Sequence, residues 1–163
     1  MPLQPVLQQQ PRHWPQRTRG PSGSINIVTA SVTSWVSFNK WFEASSGDQN
    51  IDIFMLQELR LPEQSLFEAQ ACCRHKGYGA AFGPSITTVK GGLSAGVAIL
   101  WKSHWACMQK PTMLQEAKAL EVVLEMGVVG LLHCYSVYGF VAEQWSSRNL
   151  GLYNNIFSKL AHG

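Results

Sequence analysis

The sequence of 163 residues predicts an α/β domain with a mixed sheet. Short apolar runs rich in Ile, Val and Phe alternate with longer stretches whose apolar residues recur at helical spacing. Two of the runs, 119–126 and 128–138, meet across Gly127 as a hairpin, so the strands are partly antiparallel.

Taken in order, residues 1–23 are rich in Gln, Pro, Arg and Gly without apolar periodicity. Such a stretch cannot bury enough surface to offset its ordering entropy, and it is expected to be a disordered extension of a domain spanning 24–163. Residues 25–30 form the first strand. Thr33 or Ser34 caps a helix on which Trp35, Phe38, Trp41 and Phe42 make one apolar stripe, and Ser45-Ser46-Gly47 ends it. That stripe reads as core, because a base-stacking platform must stay exposed.

Residues 51–58 form an almost continuously apolar run that stops abruptly at Gln57-Glu58, and Leu61-Pro62 prevents its extension. Pro62 opens a second helix whose buried face is Leu66, Ala69, Gln70 and Cys73, with His75 against the helix dipole and Gly77 as its C-cap. A strand at 78–82 leads into a loop at 83–92. Gly91-Gly92 lies in that loop, but no phosphate-cradling glycine pattern is present. Residues 95–101 are a core strand. The second arm of the hairpin is apolar on both faces, as for a strand covered on both sides, with His133 and Cys134 as core residues. From Ser146 a helix buries Asn149, Leu152, Tyr153, Ile156, Phe157 and Leu160.

Composition narrows the functional classes. The hydrophobic content of 45% suits one globular core, and no apolar run is long enough to span a bilayer. Pro2, Pro5, Pro11 and Pro15 break up an N-terminus that has no secretory apolar segment. Cys72, Cys73, Cys107 and Cys134 have neither metal-site spacing nor a disulfide framework, so they read as reduced thiols of an intracellular protein. The net charge is +3, but three of the 13 basic residues, Arg12, Arg17 and Arg19, precede Ser24 and leave ten against ten acidic ones. The body is formally neutral and has no basic stripe, so charge alone does not argue for nucleic acid.

On position alone Glu58 is the first solvated residue after a strand, at the strand end where open α/β sheets place ligands. Three segments in order add to this: Gln57-Glu58, then Gly91-Gly92-Leu93-Ser94-Ala95-Gly96 leading into the strand to Trp101, then Cys134-Tyr135-Ser136-Val137-Tyr138-Gly139-Phe140. Together they resemble the endonuclease/exonuclease/phosphatase superfamily of Mg²⁺-dependent phosphodiesterases, and within it the endonuclease modules of retrotransposon-type reading frames. The resemblance runs from about Ile25 onward.

It implies a four-layer α/β sandwich, Mg²⁺ as cofactor with Mn²⁺ as a substitute, and nucleic acid, DNA before RNA, as substrate. It implies Glu58 as metal ligand and Tyr138 as the residue near the scissile phosphate. Ser31 stands where the family has a metal-supporting Asn, and Gly139-Phe140 where it has Ala-Pro. A Gly-Asp-x-Asn strand and an Asp-His pair have no counterpart, and His162 cannot replace them. The C-terminal half of the family domain is therefore expected to be missing, with one sheet face left exposed to pair with another chain. The chain alone is then expected to be an incomplete, inactive hydrolase domain, with a non-catalytic retroelement remnant or interaction module as the alternative.

Overall fold

The structure, a computed structural model, describes residues 23–44, 50–139 and 146–162, with side chains to Ser158 in the last segment. The expected extension, the helix stop at 45–47 and the side chains of Leu160 and His162 lie outside these residues.

Strand β1 (Ile27–Ser31) pairs in parallel with β2 (Ile53–Gln57), placing Ser31 opposite Gln57. Parallel neighbours need a crossover, and helix α1 (Trp35–Ala44) provides it. Ser34 is its cap, since Ser34 Oγ accepts the Ser37 N–H at 3.1 Å while the Thr33 hydroxyl donates to the Val32 carbonyl. Trp35, Phe38 and Phe42 are buried as the periodicity predicts. Their rings continue into Phe54 and Tyr78, with Phe38 5.2 Å from Phe42 and Phe42 5.4 Å from Tyr78, centroid to centroid. Stripe and strand thus close one core.

Pro62 precedes a 3₁₀ turn (Glu63–Ser65) that leads into α2 (Leu66–His75), and Gly77 ends that helix at φ 79°. The turn rotates the helix, so Ala69 and Cys73 are buried and Gln70, expected on that face, is exposed. Strand β3 (Tyr78–Gly83) follows, then a small ribbon of β4 (Ile86–Thr87) and β5 (Leu93–Ser94) within the expected loop. Strand β6 (Val97–Lys102) enters between β2 and β3 and pairs antiparallel with both, which completes a sheet of order β1-β2-β6-β3.

The second sheet consists of β7 (Ala106–Cys107), β8 (Thr112–Gln115), β9 (Ala119–Glu125) and β10 (Leu131–Val137), with β9 central. A 3₁₀ turn, Gly127–Val129, joins the last two as the expected hairpin. Its inner residues Leu120, Val122, Leu124 and Cys134 pack on Ile53, Val97, Ile99 and Trp101 of the first sheet. Helix α3 (Ser147–His162) covers the outer face with Leu152 and Ile156 against Ala119 and Val137. The layers therefore run helix, sheet, sheet, helix, the expected four-layer α/β arrangement with mixed strand directions.

Three expectations need correction. The first sheet's inner face is not exposed, because four strands of this same chain cover it. Strand β10 is not covered on both sides: Leu131 and His133 are exposed, since α3 covers only the far end of the strand. His133 is therefore no core residue; its side chain is 42% exposed and its Nδ1 lies 3.1 Å from Glu121. On α3, Asn149, Leu152 and Ile156 are buried, whereas Tyr153 and Phe157 point outward.

Candidate functional site

The end of β2 is built to display Glu58. Beyond Gln57 the chain turns sharply, with φ 59° at Glu58 and 46° at Arg60, left-handed values that cost a non-glycine residue about 1–2 kcal/mol each. Burial offsets this cost: Leu59 and Leu61 are both buried, each contributing about 1.5–3 kcal/mol. Backbone bonds hold the turn on three sides. Leu59 N–H donates to Gly96 O at 3.2 Å, Arg60 N–H to Ala95 O at 3.0 Å, and Leu59 O accepts from Trp35 N–H. The leucines point inward, so Glu58 and Arg60 point out. Strained backbone held by its surroundings is a frequent feature of functional sites.

The structure brings all three sequence-derived residues together. Ser31 Oγ donates to Glu58 Oε2, and Tyr138 Oη donates to Glu58 Oε1 at 2.6 Å. The hydrogen bond from Ser31, followed by that from Tyr138 and the charges of Arg60 and Lys118, holds the Glu58 carboxyl below its usual range against an opposing desolvation effect. Burial, followed by the Glu58 contact, pushes the Tyr138 phenol up to about 12. At neutral pH the pair is an ionised carboxylate beside a neutral phenol donor.

Residues 80 positions apart meet because a polar latch joins the two sheets beneath them. Ser136 is fully buried; its Oγ donates to Leu56 O at 2.9 Å and accepts from Gln57 Nε2 at 3.2 Å. The same Gln57 amide reaches Met55 O and Thr29 Oγ1, so its two hydrogens face three acceptors. Gln57 and Ser136 thereby fix their neighbours Glu58 and Tyr138. A second tie is Tyr138 N–H to Lys118 O at 2.7 Å. Lys118 Nζ lies 4.4 Å from the Tyr138 ring centroid and 3.3 Å from Gly139 O.

Lys118, Arg60 and Ser136 were not legible as site residues in the sequence. Only the alternation Glu58-Leu59-Arg60-Leu61 carried a signal, by placing two charges on one side of two leucines. Among the described residues no group of three His, Cys, Asp or Glu side chains is poised to hold a metal. The donors at the site are one carboxylate and two hydroxyls. That set lacks the His and Cys ligands on which Zn²⁺ sites are mostly built. It does suit a hard cation that keeps several waters and needs one or two protein carboxylates.

No family model matches the sequence, and no curated protein matches it. Solved structures do. The catalytic domain of Xenopus laevis APE2 matches 84% of this chain with a TM-score of 0.57 at 18% identity. The AP endonuclease LMAP from Leishmania major matches 71% with a TM-score of 0.47 at 19% identity. The class of fold is therefore the α/β fold that the APE2 catalytic domain also has. The chain spans about half of the APE2 structure, 55% of that chain.

Proposed function

We propose that this chain carries the cation- and phosphate-binding side of a nuclease-type phosphodiesterase site, acting on nucleic acid, DNA before RNA. The observation that carries this reading is the Glu58 carboxylate, ionised at a strand end and held by the Ser31 and Tyr138 hydroxyls. Glu58 and Ser31 are the residues that would hold Mg²⁺, or Mn²⁺ in its place. When bound, the cation neutralises charge on the phosphate and eases departure of the leaving oxygen. Tyr138 stays protonated at neutral pH; its one hydrogen is donated to Glu58 and reaches a phosphate oxygen only once the carboxylate turns to the cation, while Lys118 and Arg60 balance the carboxylate's charge.

Among the described residues Glu58 and Tyr138 belong to no group of three His, Cys, Asp or Glu side chains, and turnover further requires a base to take a proton from water. The alternative is a non-catalytic module of retroelement type. Four unpaired cysteines support a reducing, intracellular compartment, and among the described residues no helix is long and apolar enough to cross a membrane.

The test is retention of labelled duplex DNA and of RNA of the same sequence by the full chain, in Mg²⁺ or in chelator. The expected result is Mg²⁺-dependent retention, stronger for DNA, that Glu58→Ala makes indifferent to Mg²⁺. Retention equal in chelator, and equal in Glu58→Ala, contradicts the reading.

A further inference from the structure

We propose that Arg60 is a substrate-contact residue, whose guanidinium takes a phosphodiester oxygen beside the Glu58–Tyr138 pair. This rests on the reading above and extends it to a residue that no motif singled out. Two cations border the pair, Arg60 two residues beyond Glu58 and Lys118 beside Tyr138, and the structure gives them different work. Lys118 is buried, lies over the Tyr138 ring and donates to Gly139 O, so it is committed to the frame of the site. Arg60 is exposed and its side chain makes no hydrogen bond with any described residue.

Its backbone, in contrast, is held firmly. The Arg60 N–H is bonded to Ala95 O, its φ is 46°, and its neighbours Leu59 and Leu61 are anchored in the core. The guanidinium therefore extends from a fixed base two residues from Glu58, on the same outward side. The charges complement a phosphodiester. Among the described residues, one carboxylate and two cations leave a single positive charge, and its exposed part is a planar fork suited to two phosphate oxygens.

The experiment measures fluorescence anisotropy of a labelled short DNA duplex against salt, using the full chain in Mg²⁺. Wild type, Arg60→Gln, Arg60→Lys and Lys40→Gln are compared, Lys40 being an exposed cation of α1. Loss of one phosphate contact lowers the slope of log affinity against log salt by about 0.9. Arg60→Gln is expected to show that loss with an unchanged melting temperature, which a merely structural role would not leave intact, and with Mg²⁺ bound no more weakly, since a neighbouring cation opposes a second one at Glu58. Arg60→Lys is expected to keep the slope and bind more weakly, and Lys40→Gln to match wild type. An unchanged slope in Arg60→Gln, with wild type binding and Glu58→Ala still removing the Mg²⁺ dependence, overturns the Arg60 assignment alone. An equal loss in Lys40→Gln overturns it as well, since the contact is then not specific to the site. No duplex binding by wild type overturns the site reading and this assignment together.

Discussion

Replacing Ser136 by alanine removes the latch between the sheets without changing the volume of the core by more than one oxygen. The Ser136 hydroxyl is fully buried, so water cannot replace it at Leu56 O, to which it donates at 2.9 Å. Loss of a buried donor that leaves its partner unsatisfied costs about 1–3 kcal/mol. Gln57 keeps Met55 O and Thr29 Oγ1 as acceptors, which places the expected loss toward the lower end of that range. For a domain of this size each kcal/mol lowers Tm by about 2–4 °C, so a loss of roughly 2–8 °C is expected. Urea unfolding followed by circular dichroism reads the free energy. A cycle with Gln57→Leu isolates the coupling, expected at about 0.5–1 kcal/mol for two side chains in one hydrogen-bond network. A change below about 0.5 kcal/mol, with no coupling to Gln57, would refute the latch as the element that holds Glu58 and Tyr138 together.

Two other predictions concern the pair and the sheet that carries it. Because the Glu58 carboxyl is held below its ordinary value, its contribution to stability is present above the unfolded value of about 4.3 and is lost as pH falls through the folded one. In metal-free buffer, Glu58→Gln should flatten the fall in urea midpoint below pH 5, and parallel curves for the two proteins contradict the assigned shift. At Gly79 an added Cβ would lie 2.5–2.8 Å from the Trp101 ring, which is buried between the sheets. Gly79→Ala should therefore destabilise by about 1–3 kcal/mol, and a urea midpoint at or above wild type shows that the ring can give way.

Much of the fold was legible because several segments agree with their surroundings at every level. Trp35, Phe38 and Phe42 recur at helical spacing and pack under Phe54, while the Gly77 position needs a positive φ and has it. Strands β7 and β8 were invisible. Ala106–Cys107 is too short to show a period, and Thr112–Gln115 lies half exposed at the margin of β9, where no alternation is required. The error at His133 has a similar origin. Leu131, Leu132 and Cys134 make the arm look apolar throughout, but only the end near Val137 lies beneath α3. Tyr153 and Phe157 extend the stripe of that helix in sequence yet sit past the edge of its contact.

The site divides along the same line. Glu58, Ser31 and Tyr138 came from motif order, and in the structure their side chains are joined by hydrogen bonds. Lys118 belongs to the turn between β8 and β9, and its approach to Tyr138 is set by sheet packing that no local pattern encodes. Ser136 looked like one polar position in a strand until its partners on β2 were seen.

The central claim, that Glu58 anchors a divalent cation, is tested most directly by titrating Mg²⁺ into the metal-free chain in a calorimeter. Wild type, Glu58→Ala and Ser31→Asn are compared, with a thermal melt of each. The account predicts one site in wild type, no binding in a Glu58→Ala protein that stays folded with a modestly lower Tm, and tighter binding in Ser31→Asn, whose longer amide brings a carbonyl oxygen to the same place. Mg²⁺ binding that persists unchanged in a folded Glu58→Ala protein contradicts it.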